Sequence, residues 1–368
     1  MSAPTVALLA TGWVLAWVLA GRRRLLTARP LPAGARVSVI VPARDEAERL
    51  PRLLGALAGA SPAPLEVLVV DDGSTDGTAA VARSAGATVV PATRPPGWSG
   101  KAYACQRGAE VARGDVLVFL DADVEPAPAA VAALAAAAVE RDGLVSAHPV
   151  HRVERAYERL SAGAAVVALL GAGTGGPPAH RWWRRPFAFG PALAVPAAAY
   201  RRLGGHAAVR AAVADDVALA AAADRHGVTV TTLVAGPLAA YRMYPAGLSQ
   251  LVEGWTKNLA TGGAATPPLR AAAVAVWVTA VLESGVVLAG GLASGGGALA
   301  AATAAYLLFA VQFHVVSRRI GRFGVATSAL HPLVLAVFVV LFAWSAALTF
   351  GRGRVRWRGR TLDLRRAP

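Results

Sequence analysis

Three groups of carboxylates and one lysine carry residue types and spacings that could do chemistry. Asp121 and Asp123 close the run DVLVFLDAD (115–123). In an extended chain residues i and i+2 point the same way, so these two carboxylates converge. Converging carboxylates repel unless a cation or a hydrogen-bond donor joins them. Hard carboxylate oxygens suit Mg²⁺ or Mn²⁺, ions that usually also hold substrate phosphates. Asp121 and Asp123 therefore read as a metal and diphosphate site, with a capped, solvated turn as the plainer alternative. Asp45 and Glu46 follow the run RVSVIVP (36–42), and Asp71 and Asp72 end EVLVVDD (66–72). Asp76, in the same DDGSTDGT stretch, reads better as a turn former. Asp215 and Asp216, in VADDVALA, stand further along the chain after GGH (204–206). They precede a helical Ala/Leu run, so N-capping is one reading and a general base on the acceptor side is the other.

The lysine lies in PPGWSGKAYACQRGA (95–109), where Lys101 closes a Gly-containing loop and opens a helix. A phosphate-binding P-loop needs four residues between its first glycine and Gly-Lys, followed by Ser or Thr. Here Gly97 is followed by two residues, then Gly100 and Lys101, then Ala102. No hydroxyl follows to hold Mg²⁺, which excludes an ATPase loop. A lysine at a helix start still suits a donor diphosphate, because helix N-termini attract anions. Trp98 reads equally as a ring for stacking a sugar or touching a membrane and as a loop aromatic packed on its own domain.

Placing these groups together requires one sheet edge. The runs 36–42, 66–72 and 115–123 read as buried parallel strands. Residues 46–59, 76–85, 101–113 and 127–141 read as the intervening helices. A βαβ series of this kind predicts a doubly wound α/β sheet, and ligands bind such sheets at the carboxyl ends of the strands. Asp45, Asp72 and Asp121 all fall at those ends.

The remainder of the chain points to a membrane. Of 368 residues, 55% are hydrophobic and 16% charged, with a formal net charge of +15. That mixture is too apolar for an ordinary soluble enzyme. The arginines sit beside apolar segments, which fits anionic lipid headgroups better than nucleic acid. The single Cys105 excludes an internal disulfide and a thiolate zinc site, and reads as a small helix-face residue. Residues 3–21 are uncharged and end at Arg22, Arg23 and Arg24, so 1–24 read as a retained anchor with its N-terminus outside and its arginines in the cytoplasm. Residues 269–350 hold candidate spans at 271–292, 297–316 and 329–350, with Arg318, Arg319 and Arg322 between the last two. Three spans would place the basic tail, 351–368, outside, against the positive-inside rule, so two spans with one interfacial segment are an equal expectation. The apolar run 160–176 is short and Gly-rich and reads as buried or membrane-lying. The RWWRR stretch (181–185) reads as interfacial.

The ordered set VSVIVPARDEAERL, VVDDGSTDGT, FLDAD and ADDVAL resembles family 2 glycosyltransferases of the GT-A fold. PPGWSGKAYACQRGA, LGGHAAVRAAVADDVAL and YRMYPAGLSQLVEGWTKNLATG look like the membrane members that glucosylate carotenoid acids. The likeness covers about residues 36–265, and the terminal spans by layout only. It implies a cytoplasmic GT-A domain over 36–265 in a multi-pass cell-membrane protein. It implies a UDP-sugar donor such as UDP-glucose, a divalent Mg or Mn ion, and a lipid acceptor such as a carotenoid acid. Asp45 and Asp72 would hold uracil and ribose. Asp121 would lie near the nucleotide, and Asp123 would ligate the metal. Asp216 would be the base of an inverting transfer, with Asp215 where many members carry Glu. The family's Gln-x-x-Arg-Trp motif is altered here to Gln250-Leu-Val-Glu253-Gly254-Trp255, so Trp255 remains beside the donor and Lys257 would supply the missing positive charge. That departure speaks against a processive polysaccharide synthase. The presence of every metal and base carboxylate speaks against an inactive transport or lipid-binding protein.

Overall fold

The computed structural model of the chain describes residues 1–22, 24–173, 185–212, 214–352, 354–357 and 360–363. In order, its elements are α1 (Ala3–Ala20), β1 (Val37–Ala43), α2 (Leu50–Ala58), β2 (Glu66–Asp71), α3 (Thr78–Ser84), β3 (Thr88–Pro91), α4 (Gly100–Val111), β4 (Val116–Leu120), β5 (Val124–Pro126), α5 (Ala130–Arg141), β6 (Gly143–His148), and the short β7 (Val150–His151). They continue with α6 (Ser161–Ala172), β8 (Ala192–Pro196), α7 (Ala197–Arg202), α8 (Asp215–Arg225), β9 (Thr229–Val234), β10 (Ala239–Tyr241), α9 (Leu248–Ala265), α10 (Pro268–Ser294), α11 (Gly296–Ser317), α12 (Val325–Ala329) and α13 (His331–Ala346). The chain divides into two compact units. An α/β unit comprises Arg24–Val150 and Pro186–Met243, and a helical unit comprises Met1–Arg23, His151–Arg185 and Tyr244–Asp363. Residues 151–185 and 244–265, expected inside the 36–265 domain, group with the helices.

The α/β unit is built on a seven-stranded sheet in the order β3-β2-β1-β4-β8-β6-β9. Strands β3, β2, β1 and β4 are parallel, as are β6 and β9, while β8 runs antiparallel to both its neighbours. The central strands β4 and β8 are apolar throughout, and β1 is apolar apart from Ser38, because both their faces are covered. In β4, Val116, Val118 and Leu120 enter one core while Leu117 and Phe119 enter the other. From β1 the chain proceeds outward through β2 to β3, then returns to place β4 on the opposite side of β1. The strand order therefore reverses between β1 and β4, and a crevice opens there at their carboxyl ends.

Small residues bring α4 close to this crevice. A Cβ on Gly108 would lie 2.4 Å from Ile40 Cγ2 and 3.0 Å from Val70 Cγ2, so the helix rests directly on β1 and β2. Three expected helices start late, α2, α3 and α5, and side-chain bonds account for the first two. Glu46 donates its N–H to Thr78 Oγ1 at 2.8 Å and Ala47 donates to Asp76 Oδ2 at 3.0 Å. These bonds draw 46–49 into a loop, and α2 begins at Leu50. Asp76 also accepts the Thr78 N–H at 3.0 Å, and its role as a turn former delays α3 to Thr78.

In the helical unit, four helices among the described residues are long and apolar enough to cross a membrane: Ala3–Ala20, Pro268–Ser294, Gly296–Ser317 and His331–Gly351. Within the run 160–176, Ser161–Ala172 form α6, a 12-residue helix with most of its residues buried, too short to span. Residues 174–184, which include most of the RWWRR stretch, lie outside the described residues. Helices α1 and α10 approach closely where a Cβ on Gly12 would meet the Ala280 Cβ at 2.3 Å. Buried polar side chains join the helices. Arg270 Nε donates to the Leu170 carbonyl at 2.7 Å and its Nη2 to the Leu19 carbonyl at 3.0 Å, linking the ends of α6 and α1. Arg319 Nη1 donates to the carbonyls of Ala20 and Gly21 at 2.9 and 3.0 Å.

The α4 contact yields a direct test. Gly108→Val pushes a branched side chain into Ile40 and Val70 and should destabilise the α/β unit by about 1–3 kcal/mol. Thermal unfolding of the detergent-purified protein would show a lowered midpoint; an unchanged midpoint would mean that α4 can move off the sheet at no cost.

Candidate functional site

The strand register sets the site's first edge. Ala43 pairs with Asp71, and Asp72 donates its N–H to the Ala43 carbonyl at 3.0 Å. Asp72 is thus fixed at the carboxyl end of β1, with its side chain 8% exposed. Its carboxylate lies against the start of α4, since a Cβ on Gly100 would stand 2.6 Å from Asp72 Oδ2. Glycine at position 100 permits that approach, and the helix N-terminus favours the charge. Arg44 joins two predicted residues, with Nη1 3.2 Å from Asp72 Oδ2 and Nε 3.8 Å from Asp45 Oδ2. Arg94 Nε stands 4.0 Å from Asp72 Oδ1. Asp45 adopts a left-handed backbone, φ 50°, and accepts the Thr75 N–H at 2.8 Å. Its conformation is held by the DDGSTDGT loop, which also offers the Ser74 hydroxyl to the Asp45 N–H at 3.0 Å.

Lys101 stands at the centre of the second edge. Its Nζ is 2.6 Å from Asp121 Oδ1 and 3.5 Å from the Gly190 carbonyl. Burial alone would lower the lysine's pKa, but the charges of Asp121, Asp215 and Asp216 reverse this and raise it well above the ordinary value. The lysine is therefore a fixed cation. Asp123 lies on the same turn and is pushed up to about 7, first by burial and then by the charge of Asp121; Glu46 adds to the rise, while Arg49 and Lys101 oppose it. Glu46 itself pairs with Arg49 at 3.2 Å.

These carboxylates fit a divalent cation. Asp121 Oδ1 is engaged by Lys101, whereas burial and the charges of Asp121 and Glu46 disfavour an ionised Asp123 more than Arg49 and Lys101 favour it, an imbalance a cation would relieve. Among the described residues no group of three or more His, Cys, Asp and Glu side chains forms a ready cage. A cation here would take its remaining ligands from phosphate and water, as Mg²⁺ commonly does.

Asp215 and Asp216 occupy the first turn of α8, after an N-cap residue, Ala214, that makes no side-chain capping bond. Asp215 is 7% exposed. Asp216 Oδ2 accepts the Gly190 N–H at 2.7 Å and Oδ1 accepts the Val217 N–H at 2.9 Å. Burial and the neighbouring Asp215 push Asp216 up to about 6, against the opposing pull of Lys101 and the two N–H donors. A carboxyl poised there can accept a proton near neutrality. Behind the pair, His206 of the GGH stretch is buried and makes a 2.7 Å bond from Nδ1 to the Tyr200 hydroxyl. Burial lowers its pKa to about 4, so it stays neutral and structural.

The fold thus brings Lys101, Asp121, Asp123, Asp215 and Asp216 into one electrostatic group, and links Asp45 with Asp72 through Arg44. Trp98 packs edge-on against Tyr103 with ring centroids 5.3 Å apart, which fits its reading as a loop aromatic. Cys105 is buried one turn below Lys101, and burial raises its thiol well above the ordinary value, leaving it inert. Trp255 and Lys257 lie on α9, in the helical unit. Trp255 is buried and donates its indole N–H to Ser161 Oγ at 3.1 Å. A Cβ on Gly254 would lie 2.2 Å from Tyr244 Cε1, so a tyrosine ring fills the space a side chain at 254 would need.

Two participants escape sequence reasoning. Arg44 stands next to Asp45 in PARDEA and could be found by asking which cation balances Asp72. Gly190, whose peptide touches both Lys101 and Asp216, has no local signal, because its partners are 89 and 26 residues away.

Comparison with known proteins identifies the family. Residues 38–217 match the family described as Glycosyl transferase family 2. The chain is 32% identical over 355 residues to 4,4'-diaponeurosporenoate glycosyltransferase of Staphylococcus aureus (strain MRSA252), covering 93% of this chain and 92% of that protein. The protein of the same name from strain USA300 is 32% identical over 362 residues, with the same coverage. Among solved structures, the mannosyltransferase PcManGT from Pyrobaculum calidifontis, in complex with GDP-Man and Mn²⁺, superposes with a TM-score of 0.55 at 22% identity, over 93% of this chain and 96% of that one. That last likeness speaks for the fold. With its matched domain, its full-length relatives and its acidic sheet edge, this chain belongs to the family 2 glycosyltransferases.

Proposed function

We propose that the protein transfers a sugar, most simply glucose, from a UDP-sugar to a lipid acceptor in the membrane, with inversion at the anomeric carbon. The carrying observation is the Gly190 peptide, which accepts from Lys101 on the donor side and donates to Asp216 on the acceptor side. A sugar bound between those groups would have its leaving phosphate near a fixed cation and its attacking acceptor near a carboxylate. Asp45 and Asp72, aligned by Arg44, would receive the uracil and ribose. A divalent ion such as Mg²⁺ or Mn²⁺ at Asp123, beside Asp121, would neutralise charge on the departing diphosphate. Lys101 would hold that diphosphate from the helix start. The four apolar helices support a multi-pass cell-membrane protein, with the catalytic unit in the cytoplasm where nucleotide sugars are made.

The names of the full-length relatives favour a carotenoid acid as acceptor. A carboxylic acid, with a pKa of roughly 4–5, is already ionised at neutral pH and needs no base. For it Asp216 would orient the attack through the Gly190 N–H. A lipid alcohol would need the proton acceptor that Asp216 provides, and the raised pKa of Asp216 favours this second acceptor class.

Membranes carrying the wild-type protein or Asp216→Asn, incubated with labelled UDP-glucose, Mn²⁺ and a lipid extract, separate these readings. Label should enter the organic phase with the wild type and fall by about 10²–10⁴-fold in Asp216→Asn when the acceptor is an alcohol. Alkali-labile product identifies an ester and hence an acid acceptor; alkali-stable product identifies an alcohol. No transfer from any nucleotide sugar would sink the proposal. With an alcohol acceptor the pH profile follows from Asp216. Below its pKa the carboxyl is protonated and cannot accept a proton, so the rate should rise with pH through about 6 and then level. Removing the charge that raises that pKa, in Asp215→Asn, should move the midpoint to lower pH; a midpoint that stays or rises would assign the titration elsewhere. Lys101→Met should lower the rate by about 10²–10³-fold through lost stabilisation of the leaving group.

A further inference from the structure

The Gly190 peptide can serve both sides of the site only if its own position is fixed, and the residues before it show how this is done. Strand β8 pairs with β6 only as far as the partners Val145–Ala194 and Ser146–Leu193. Upstream of Ala192 the backbone leaves the β6 ladder, and its N–H and C=O groups need other partners. The Ser146 hydroxyl supplies both for Phe189. Its Oγ accepts the Phe189 N–H at 2.7 Å and donates to the Phe189 carbonyl at 3.0 Å. Ser146 is fully buried and stands opposite Thr232 of β9 in the parallel register. Thr232 donates its hydroxyl to the Phe187 carbonyl. Two neighbouring hydroxyls therefore hold alternate residues of one segment.

The contacts beyond that clamp all belong to the site. Phe189 is held by Ser146. Gly190 donates to Asp216 Oδ2 at 2.7 Å and faces Lys101 Nζ at 3.5 Å. The Pro191 carbonyl accepts the Asp121 N–H at 3.0 Å. A Cβ on Gly190 would stand 3.0 Å from Lys101 Nζ and 3.1 Å from Asp216 Oδ2, so the peptide lies tightly between them. The aromatic rings on either side add lateral support, with Phe187 and Phe189 centroids 5.1 Å apart and Phe189 4.4 Å from His148.

We propose that Ser146 and Thr232 are positioning residues of the transfer reaction: their hydroxyls hold the strap Phe187–Pro191 so that the Gly190 peptide sets the spacing between Lys101 and Asp216. This rests on the transferase reading. Neither hydroxyl touches substrate. Each acts through the strap, which lies at the diphosphate end of the donor and not at the proposed uracil and ribose contacts of Asp45 and Asp72, so the effect belongs chiefly in the rate of transfer.

The test uses full-length protein in lipid, with UDP-glucose, Mn²⁺ and the lipid extract as acceptor. Ser146→Ala and Thr232→Val remove the hydroxyls, and Thr232→Ser keeps one. Loosening the strap by a fraction of an ångström should lower kcat about tenfold in Ser146→Ala and about three- to tenfold in Thr232→Val. KM for the donor should stay within about twofold, and Thr232→Ser should stay near wild type. Wild-type kcat in both hydroxyl-free variants overturns the inference, as does a Thr232→Ser enzyme impaired as much as Thr232→Val. If Ser146→Ala fails to accumulate, the comparison of Thr232→Val with Thr232→Ser decides alone. A wild type that transfers from no nucleotide sugar overturns the transferase reading and the role of the strap with it, whereas an active wild type with unaffected variants overturns the strap alone.

Discussion

One half-buried lysine balances a cluster of aspartates, and much of the α/β unit is arranged around that balance. Lys101 pairs with Asp121 and feels Asp215 and Asp216, while Asp123 remains in excess. Without the lysine these carboxylates could not share one crevice in the ionised state. The lysine's place is fixed by α4, and α4 can lie so close to β1 and β2 only because Gly108 and Ala104 present almost no side chain to the sheet. Packing of small residues at one end of the helix thus fixes a charge at the other. The imbalance left at Asp123 is what makes the site receptive to a cation and a polyphosphate together.

The legible part of the fold is the part whose pattern is local. The strands at 36–42, 66–72 and 115–123 are apolar runs that end in acids, and all three lie in the sheet with their acids at the carboxyl edge. Among the later strands β8 runs antiparallel to both its neighbours, so the simple βαβ rhythm that exposes the first half does not extend to the second. Helix lengths were legible within a few residues. The late starts of α2 and α3 came from side chains reaching across from the neighbouring loop, a contact no window of sequence contains. Within the site, aspartates announced themselves by position, whereas Arg44 and Gly190 act through geometry. Gly190 in particular contributes only its peptide, and a residue that functions through backbone atoms leaves no chemical mark on the sequence.

The altered motif at 250–255 is a case in which packing explains a departure. Gly254, where the resemblance leads one to expect arginine, is covered by the Tyr244 ring, and Trp255 packs on the same ring with centroids 5.9 Å apart while bonding Ser161. A long cation at 254 would have to displace that aromatic pair. The substitution is therefore coupled to its neighbours and is not an isolated loss.

Arg319 has a bearing on how the chain is oriented across a bilayer. Positive residues flanking apolar segments are ordinarily weighed as votes for the cytoplasmic side. The guanidinium of Arg319 donates to the Ala20 and Gly21 carbonyls at the end of α1, where the helix dipole is negative, and Arg270 does the same for Leu19. Charges bound in this way belong to the interior electrostatics of the bundle. A tally that weighs every arginine equally therefore overstates the field these loops would present to a lipid surface.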